Sequence, residues 1–398
     1  MSKKNLISLL IIYLASTVLS FFVFSRINDG AVATISNQEE EQVEETLLSS
    51  LLDIDPNEPQ DQACPLNGKL YTMTERNAWQ TRRPLFVMIE NTPDARPQSG
   101  LSRADIVFEA VAEGGVTRFG AIYYCAAQYQ DVTLAPIRSA RTYFLDWASG
   151  FNLPMYVHVG GANVDGPSNA LGQIGDYGWR RENDIDQFSV GYPTFVRNYN
   201  RIPGKEIATE HTMETSTEAL WEVALEREWT NITPARVVGY KTIAAADWQE
   251  GYTGWTFETD KAEKATSQTI SYDFWTGYDD YSVTWTYDAA TDSYQRANGG
   301  EEQLDLNNGQ PIAASTVIVL LTTEKGPINE KKHMLYGTVG KGKAYIYKHG
   351  QEGLEVNWSK ASRESELVFT DVRGKEVELA PGLIWISVLA TGSEVTSN

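Results

Sequence analysis

Hydrophobic positions along the chain fall into three regimes. Residues 6–24 form an uncharged run of 19 residues, preceded by Lys3 and Lys4 and followed by Arg26. At about 1.5 Å per residue such a run nearly crosses a hydrocarbon core of roughly 30 Å, and it predicts an uncleaved membrane helix or a long signal peptide. Between residues 83 and 229 apolar runs alternate with helical patterns. Residues 85–89 read as a buried strand, 106–111 and 117–124 as two strands joined near Gly114-Gly115, and 155–159 as another. One helix is expected after Ser139 and another from Thr215, where Thr215 with Glu218 fits a capping box before Ala219, Leu220, Val223 and Ala224.

Beyond residue 231 the pattern becomes short β segments at 268–274, 281–287, 316–323, 344–348 and 383–389. Turns are expected at 288–292 and 307–309. Tyr281, Val283, Trp285 and Tyr287 alternate along one strand, which places their side chains on a single face and reads as core, with glycan stacking as the lesser option. The predicted organisation is a tail and transmembrane anchor over 1–28, a linker over 29–68, an α+β or α/β domain over 69–230, and a β-rich domain, twisted sheet or sandwich, over 231–398.

Charge sharpens this picture. With 53 Asp and Glu against 33 Lys and Arg the net charge is −20, which opposes attraction to nucleic acid. A mean hydropathy of −0.35 excludes a polytopic membrane protein. Nine acidic residues and no basic one lie between Glu39 and Asp61, so this part of the linker repels itself and reads as a spacer. Two lysines before the apolar run against one arginine after it place the bulk of the chain on the extracytoplasmic side. There Cys64 and Cys125 are either a disulfide, worth about 4 kcal/mol on the loop-entropy model, or two free thiols. His158, His211, His333 and His349 have no zinc spacing, so neither a metal nor a cofactor is implied.

Two stretches invite a chemical reading. Residues 337–344 read GTVGKGKA, close to a phosphate-binding loop, but Ala344 stands where Ser or Thr would be needed and the flanks continue as strand, which favours a glycine-rich turn. The other is a concentration of arginine: Arg82, Arg83, Arg96, Arg103, Arg118, Arg138 and Arg141. Within Pro136-Ile137-Arg138-Ser139-Ala140-Arg141, Arg138 and Arg141 flank Ser139 across a helix start. Guanidinium forks and free backbone N–H groups there suit a phosphate, pyrophosphate or carboxylate. The competing reading is an internal salt-bridge network with Asp105, Glu109 and Glu113. His158, at a strand end before Gly160-Gly161, suits a functional or a structural histidine equally.

Residues 83–119 (RPLFVMIENTPDARPQSGLSRADIVFEAVAEGGVTRF), PIRSAR at 136–141 and VHVGG at 157–161 strongly resemble the YerB-like lipoprotein family of bacteria, whose domains carry no assigned function. His211-Thr212-Met213-Glu214-Thr215-Ser216 looks like a divergent form of the family's His-Asn-x-Tyr-Thr-Ser segment. Tyr287-Asp288, Tyr294-Gln295-Arg296, Gly374-Lys375-Glu376-Val377 and Trp385-Ile386 look like its C-terminal domain. The resemblance implies an envelope location and two domains, without a reaction. No cysteine precedes Cys64, so the apolar helix rather than a lipid is expected to provide any anchoring. The expected function is capture of an anionic envelope ligand or a protein partner at a site comprising Arg138, Ser139, Arg141, Arg118, Asp105, Glu109, Glu113 and His158. The alternatives are an enzyme on a phosphorylated or polyanionic substrate, with Asp105, Glu109 or His158 as acid or base, and a glycan-binding module.

Overall fold

Three largely apolar runs form the centre of the molecule. Strands β1 (Leu85–Glu90), β2 (Ile106–Glu113) and β3 (Val116–Tyr123) are buried along nearly their whole length, as strands covered on both faces must be. The computed structural model describes residues 51–238, 241–258 and 269–398. The expected anchor at 6–24 and the first part of the acidic spacer lie outside the described residues. Among those described, no helix is long and apolar enough to cross a membrane.

The N-terminal segment adds β4 (Met155–His158) and β5 (Asp184–Asp186). The C-terminal segment contributes β6 (Thr269–Tyr272), β7 (Val283–Asp288), β8 (Ser293–Asn298), β9 (Thr316–Thr322), β10 (Gly340–Lys348), β11 (Leu354–Lys360), β12 (Val368–Thr370), β13 (Ile384–Ala390) and β14 (Val395–Ser397). One mixed sheet of ten strands takes members from both segments in the order β12-β11-β10-β9-β13-β2-β3-β1-β4-β5. The seam is a parallel pairing of β13 with β2, Ile384 opposite Ile106 through Ser387 opposite Glu109. A second sheet runs β8-β7-β6-β14, with residues 301–302 and 313–314 both pairing with β8.

The two faces of the large sheet are covered differently. On one, the helix Thr142–Ala148 packs Trp147 against Phe108 with ring centroids 5.4 Å apart. On the other, Phe119 meets Trp385 at 5.2 Å, and Trp385 meets Trp285 of the second sheet at 5.4 Å. Val283 and Trp285 of the alternating stripe are thus core.

Three local expectations change. The helix Thr217–Glu226 is capped by Ser216, whose side chain accepts from Ala219 N, because Thr215 is still extended and paired with Leu134. Glu218 turns away from the cap to Arg82, at 2.6 Å. Residues 51–68, taken above with the linker, belong to the fold: Gln60–Ala63 pairs with Leu70–Thr72, and Leu51 N donates to Tyr129 O. The Cys64–Cys125 disulfide, Cα atoms 6.0 Å apart, ties this stretch to the end of β3. Finally, residues 340–348 are one continuous strand. A Cβ on Gly342 would lie 2.5 Å from Trp358 Nε1 and 2.8 Å from Leu321 O, so close packing rather than phosphate requires that glycine.

Candidate functional site

Strands β1, β2 and β4 run in the same direction, and at their carboxyl ends the PIRSAR and VHVGG motifs meet. Residues 136–141 lie extended between β1 and the chain after β4. Arg138 N donates to Met88 O at 2.8 Å, Val159 N to Arg138 O at 3.1 Å, and Ala140 N to Gly160 O at 2.9 Å. This close approach explains the paired glycines. Gly160 has φ +53°, and a Cβ on Gly161 would lie 3.1 Å from that of Ala140 and 2.9 Å from Leu171 Cδ2. The carboxyl ends of strands in an open mixed sheet are where such folds commonly place ligands.

Side chains of opposite charge converge here. Glu113, on the bulged end of β2, is held between two arginines: Oε1 lies 3.0 Å from Arg118 Nη2 and Oε2 lies 2.5 Å from Arg141 Nη2. Arg118 Nη1 also donates to Ser139 O at 3.0 Å, which is how Ser139 enters the cluster. Glu90, at the end of β1, holds two groups by its two oxygens, with Arg138 Nε 3.1 Å from Oε1 and His211 Nδ1 2.7 Å from Oε2. The backbone fixes His211 through Arg201, whose Nε donates to its carbonyl at 2.8 Å.

Electrostatics keep both carboxylates ionised. Burial alone would raise the Glu113 pKa, but the charges of Arg118 and Arg141 outweigh it and bring the value down to about 2. Burial likewise opposes ionisation of Glu90, yet the His211 hydrogen bond and the charges of Arg138 and Arg118 hold its pKa below the ordinary range. Arg118 is almost wholly desolvated, and Glu113 and Glu90 nevertheless raise its pKa. Three guanidiniums against two carboxylates leave one positive charge in surplus, before any charge on His211.

Two polar ends in this cluster have no protein partner among the described residues. Arg138 is 27% exposed; its Nε makes no properly directed hydrogen bond to Glu90, and its terminal nitrogens make none to the protein. On His211 the hydrogen bond uses Nδ1, and Nε2 has none. The arrangement offers a forked donor and an open imidazole nitrogen, seated on the two oxygens of one carboxylate.

The remaining candidate residues lie elsewhere. Among the described residues Asp105 meets no arginine; it is fully buried under the disulfide, where its carboxylate accepts from Tyr124 N at 2.6 Å, Ala126 N at 3.2 Å and Asn67 Nδ2 at 2.5 Å. Burial pushes its pKa up to about 7 against those hydrogen bonds. Glu109 points to the opposite face of the sheet, where it pairs with Arg296 at 2.7 Å, both side chains fully buried. His158 is buried with both ring nitrogens engaged, Nε2 2.7 Å from Asp184 Oδ1 and Nδ1 2.7 Å from Gly160 O. Its place is structural, holding the glycine turn to β5. Among the cysteines and acids, Cys64, Cys125 and Asp105 are clustered closely enough for a metal, but the two sulfurs are bonded to each other.

Glu90 and His211 are the members of the site that the sequence did not single out as ligands. Their signals were faint: Glu90 is the one charge closing an apolar run, and His211 opens the HTMETS segment.

Comparison with known proteins places these observations in a family. Residues 71–230 match the model described as "Protein of unknown function (DUF3048) N-terminal domain", and residues 270–386 match its C-terminal domain. The "Putative lipoprotein YerB" of Bacillus subtilis (strain 168) is 27% identical over 341 residues, 83% of this chain and 88% of that protein. The crystal structure of the YerB protein from Bacillus subtilis superposes with a TM-score of 0.64 at 25% identity, covering 84% of this chain and 100% of that one. Both segments, the large sheet they share and the motifs gathered at its end thus agree: the chain belongs to the DUF3048 family, two-domain YerB-like proteins of unknown function.

Proposed function

We propose that this is a membrane-associated, extracytoplasmic envelope protein whose N-terminal family domain binds a phosphate-type anion at Arg138. The location is supported by the lipoprotein name of the curated relative and by the apolar run at 6–24 behind Lys3 and Lys4. The binding reading rests on one observation, the terminal nitrogens of Arg138 left without protein partners in a cluster that carries a surplus positive charge. A guanidinium seated on a buried carboxylate, with its fork open to solvent, is a prepared oxyanion receptor.

Thermal unfolding of the full-length chain tests this with inorganic pyrophosphate as probe. A ligand that binds only the native state stabilises it by about 2.7 kcal/mol at a hundredfold excess over Kd, so the midpoint rises. The rise is expected in the parent protein and absent in Arg138→Ala, each measured against its own midpoint without ligand, which in the variant is lower because Glu90 loses a cation. A parent protein with no shift would sink the proposal.

A further inference from the structure

We infer that His211 makes this site a phosphodiester-hydrolysing centre; the inference rests on the anion-binding reading above and adds a reaction to it. The juxtaposition that carries it is the seating of His211 and Arg138 on the two oxygens of Glu90. A carboxylate bonded to Nδ1 fixes the tautomer and orientation of an imidazole and leaves Nε2 to exchange a proton with substrate. That nitrogen makes no hydrogen bond within the protein. The neighbouring Arg138 fork is free to take the oxygens of a ligand, and both side chains are anchored on one carboxylate.

The charge balance selects the substrate class. Arg118, Arg138 and Arg141 exceed Glu90 and Glu113 by one, and a phosphodiester carries one negative charge. In the step, His211 Nε2 takes a proton from water as the water oxygen bonds to phosphorus. The bond from phosphorus to the ester oxygen opposite the entering water breaks, the departing alkoxide takes a proton from solvent water, and Nε2 returns its own proton to solvent. Water and diester become a phosphomonoester and an alcohol, with no other reactant. Arg138 holds the non-bridging oxygens, and Arg118, sealed behind Glu90 and Glu113, adds fixed positive charge. His211 is the catalytic residue and Glu90 its positioning residue. The acid and base candidates suggested by sequence, Asp105, Glu109 and His158, have no part, because each is buried and saturated by protein partners.

The test uses full-length protein with EDTA present, to silence contaminating metal-dependent hydrolases. Bis(4-nitrophenyl) phosphate is the chromogenic probe; phosphatidylglycerol micelles and soluble poly(glycerol phosphate) separate a lipid source of the diester from a polymer source. Expected is turnover of the chromogenic diester and of one of the other two, lowered on the order of a hundredfold or more in His211→Gln. In that variant the pyrophosphate-induced thermal shift is retained. Glu90→Gln is expected to lower kcat with little change in KM, a split that mere destabilisation would not produce. Turnover of none of the three by a parent protein that still shows the pyrophosphate shift overturns this inference and leaves the binding reading standing. Equal turnover by parent and His211→Gln overturns it as well. Loss of the pyrophosphate shift in the parent overturns the reading beneath it.

Discussion

Two clusters of opposite charge lie back to back on the same sheet, and they are built on different rules. Arg118 and Phe119 are successive residues of β3, so they face opposite ways, one toward each cluster. On the Phe119 side, Glu109 and Arg296 are fully buried and every acceptor of Glu109 is occupied. Oε1 accepts from Thr117 Oγ1 at 3.0 Å and Oε2 from Arg296 Nη2 at 2.7 Å and Trp385 Nε1 at 3.1 Å. Arg296 lies 4.7 Å from the ring of Trp385 and 5.7 Å from those of Phe119 and Trp285, and donates to Gln303. On the Arg118 side the charges do not balance, and Arg138 and His211 each end in groups that the protein leaves unused. Matched charge with saturated acceptors marks a joint between two segments. Surplus charge with open donors marks a place for something else.

This contrast can be broken most forcefully at the joint. Arg296→Ala leaves Glu109 charged and uncompensated in a sealed core between the two sheets, and unfolding in urea is expected to show a loss of about 3–5 kcal/mol. A loss below about 1 kcal/mol would mean that the joint is not what holds the segments together. Arg141→Ala removes one of the two cations on Glu113 but leaves Arg118 in place, so a smaller loss of about 1–3 kcal/mol is expected.

The effects of pH have opposite signs for two buried carboxylates. The Glu113 pKa is depressed to about 2, so its contribution to stability is present above its unfolded value near 4.5 and is lost as pH falls toward 2. The Asp105 pKa is raised to about 7, so its contribution is complete below 3.8 and is lost as pH rises through 7. Chemical denaturation across this range should show Glu113→Gln flattening the acid limb alone and Asp105→Asn flattening the decline from about 4 to 7. A single variant that removed both slopes would show that the two sites do not act independently.

How much of this was legible in the chain varies from one residue to another for physical reasons. Strands β1, β2 and β3 and the turn at Gly114-Gly115 could be read directly, since burial on both faces leaves continuous apolar runs. The pairing of β13 with β2 could not, because a parallel contact between distant segments leaves no local pattern. Seven arginines in the N-terminal segment looked alike. Arg83 donates to three backbone carbonyls, of Thr230, Leu153 and Glu182, and is structural, whereas Arg138 keeps its terminal donors free. Residue type alone does not separate those fates. The tandem glycines after β4 permit the backbone approach of PIRSAR, but a glycine pair does not say which segment will approach it. Glu90 and His211 are 121 residues apart and meet only once the sheet is assembled, which is why neither stood out.

The position of β13 also bears on how the protein is made. Residues 384–390 come far later in the chain than β2, yet they occupy the middle of the large sheet, between β9 and β2. Until they arrive, the hydrogen-bonding edges of β2 and β9 are both open and no backbone ladder joins the two sets of strands. The sheet therefore closes only after β13 has been made, a slow step dominated by distant contacts. A stop codon before residue 384 would yield two unfinished half-sheets with sticky margins, the kind of product that quality-control proteases remove.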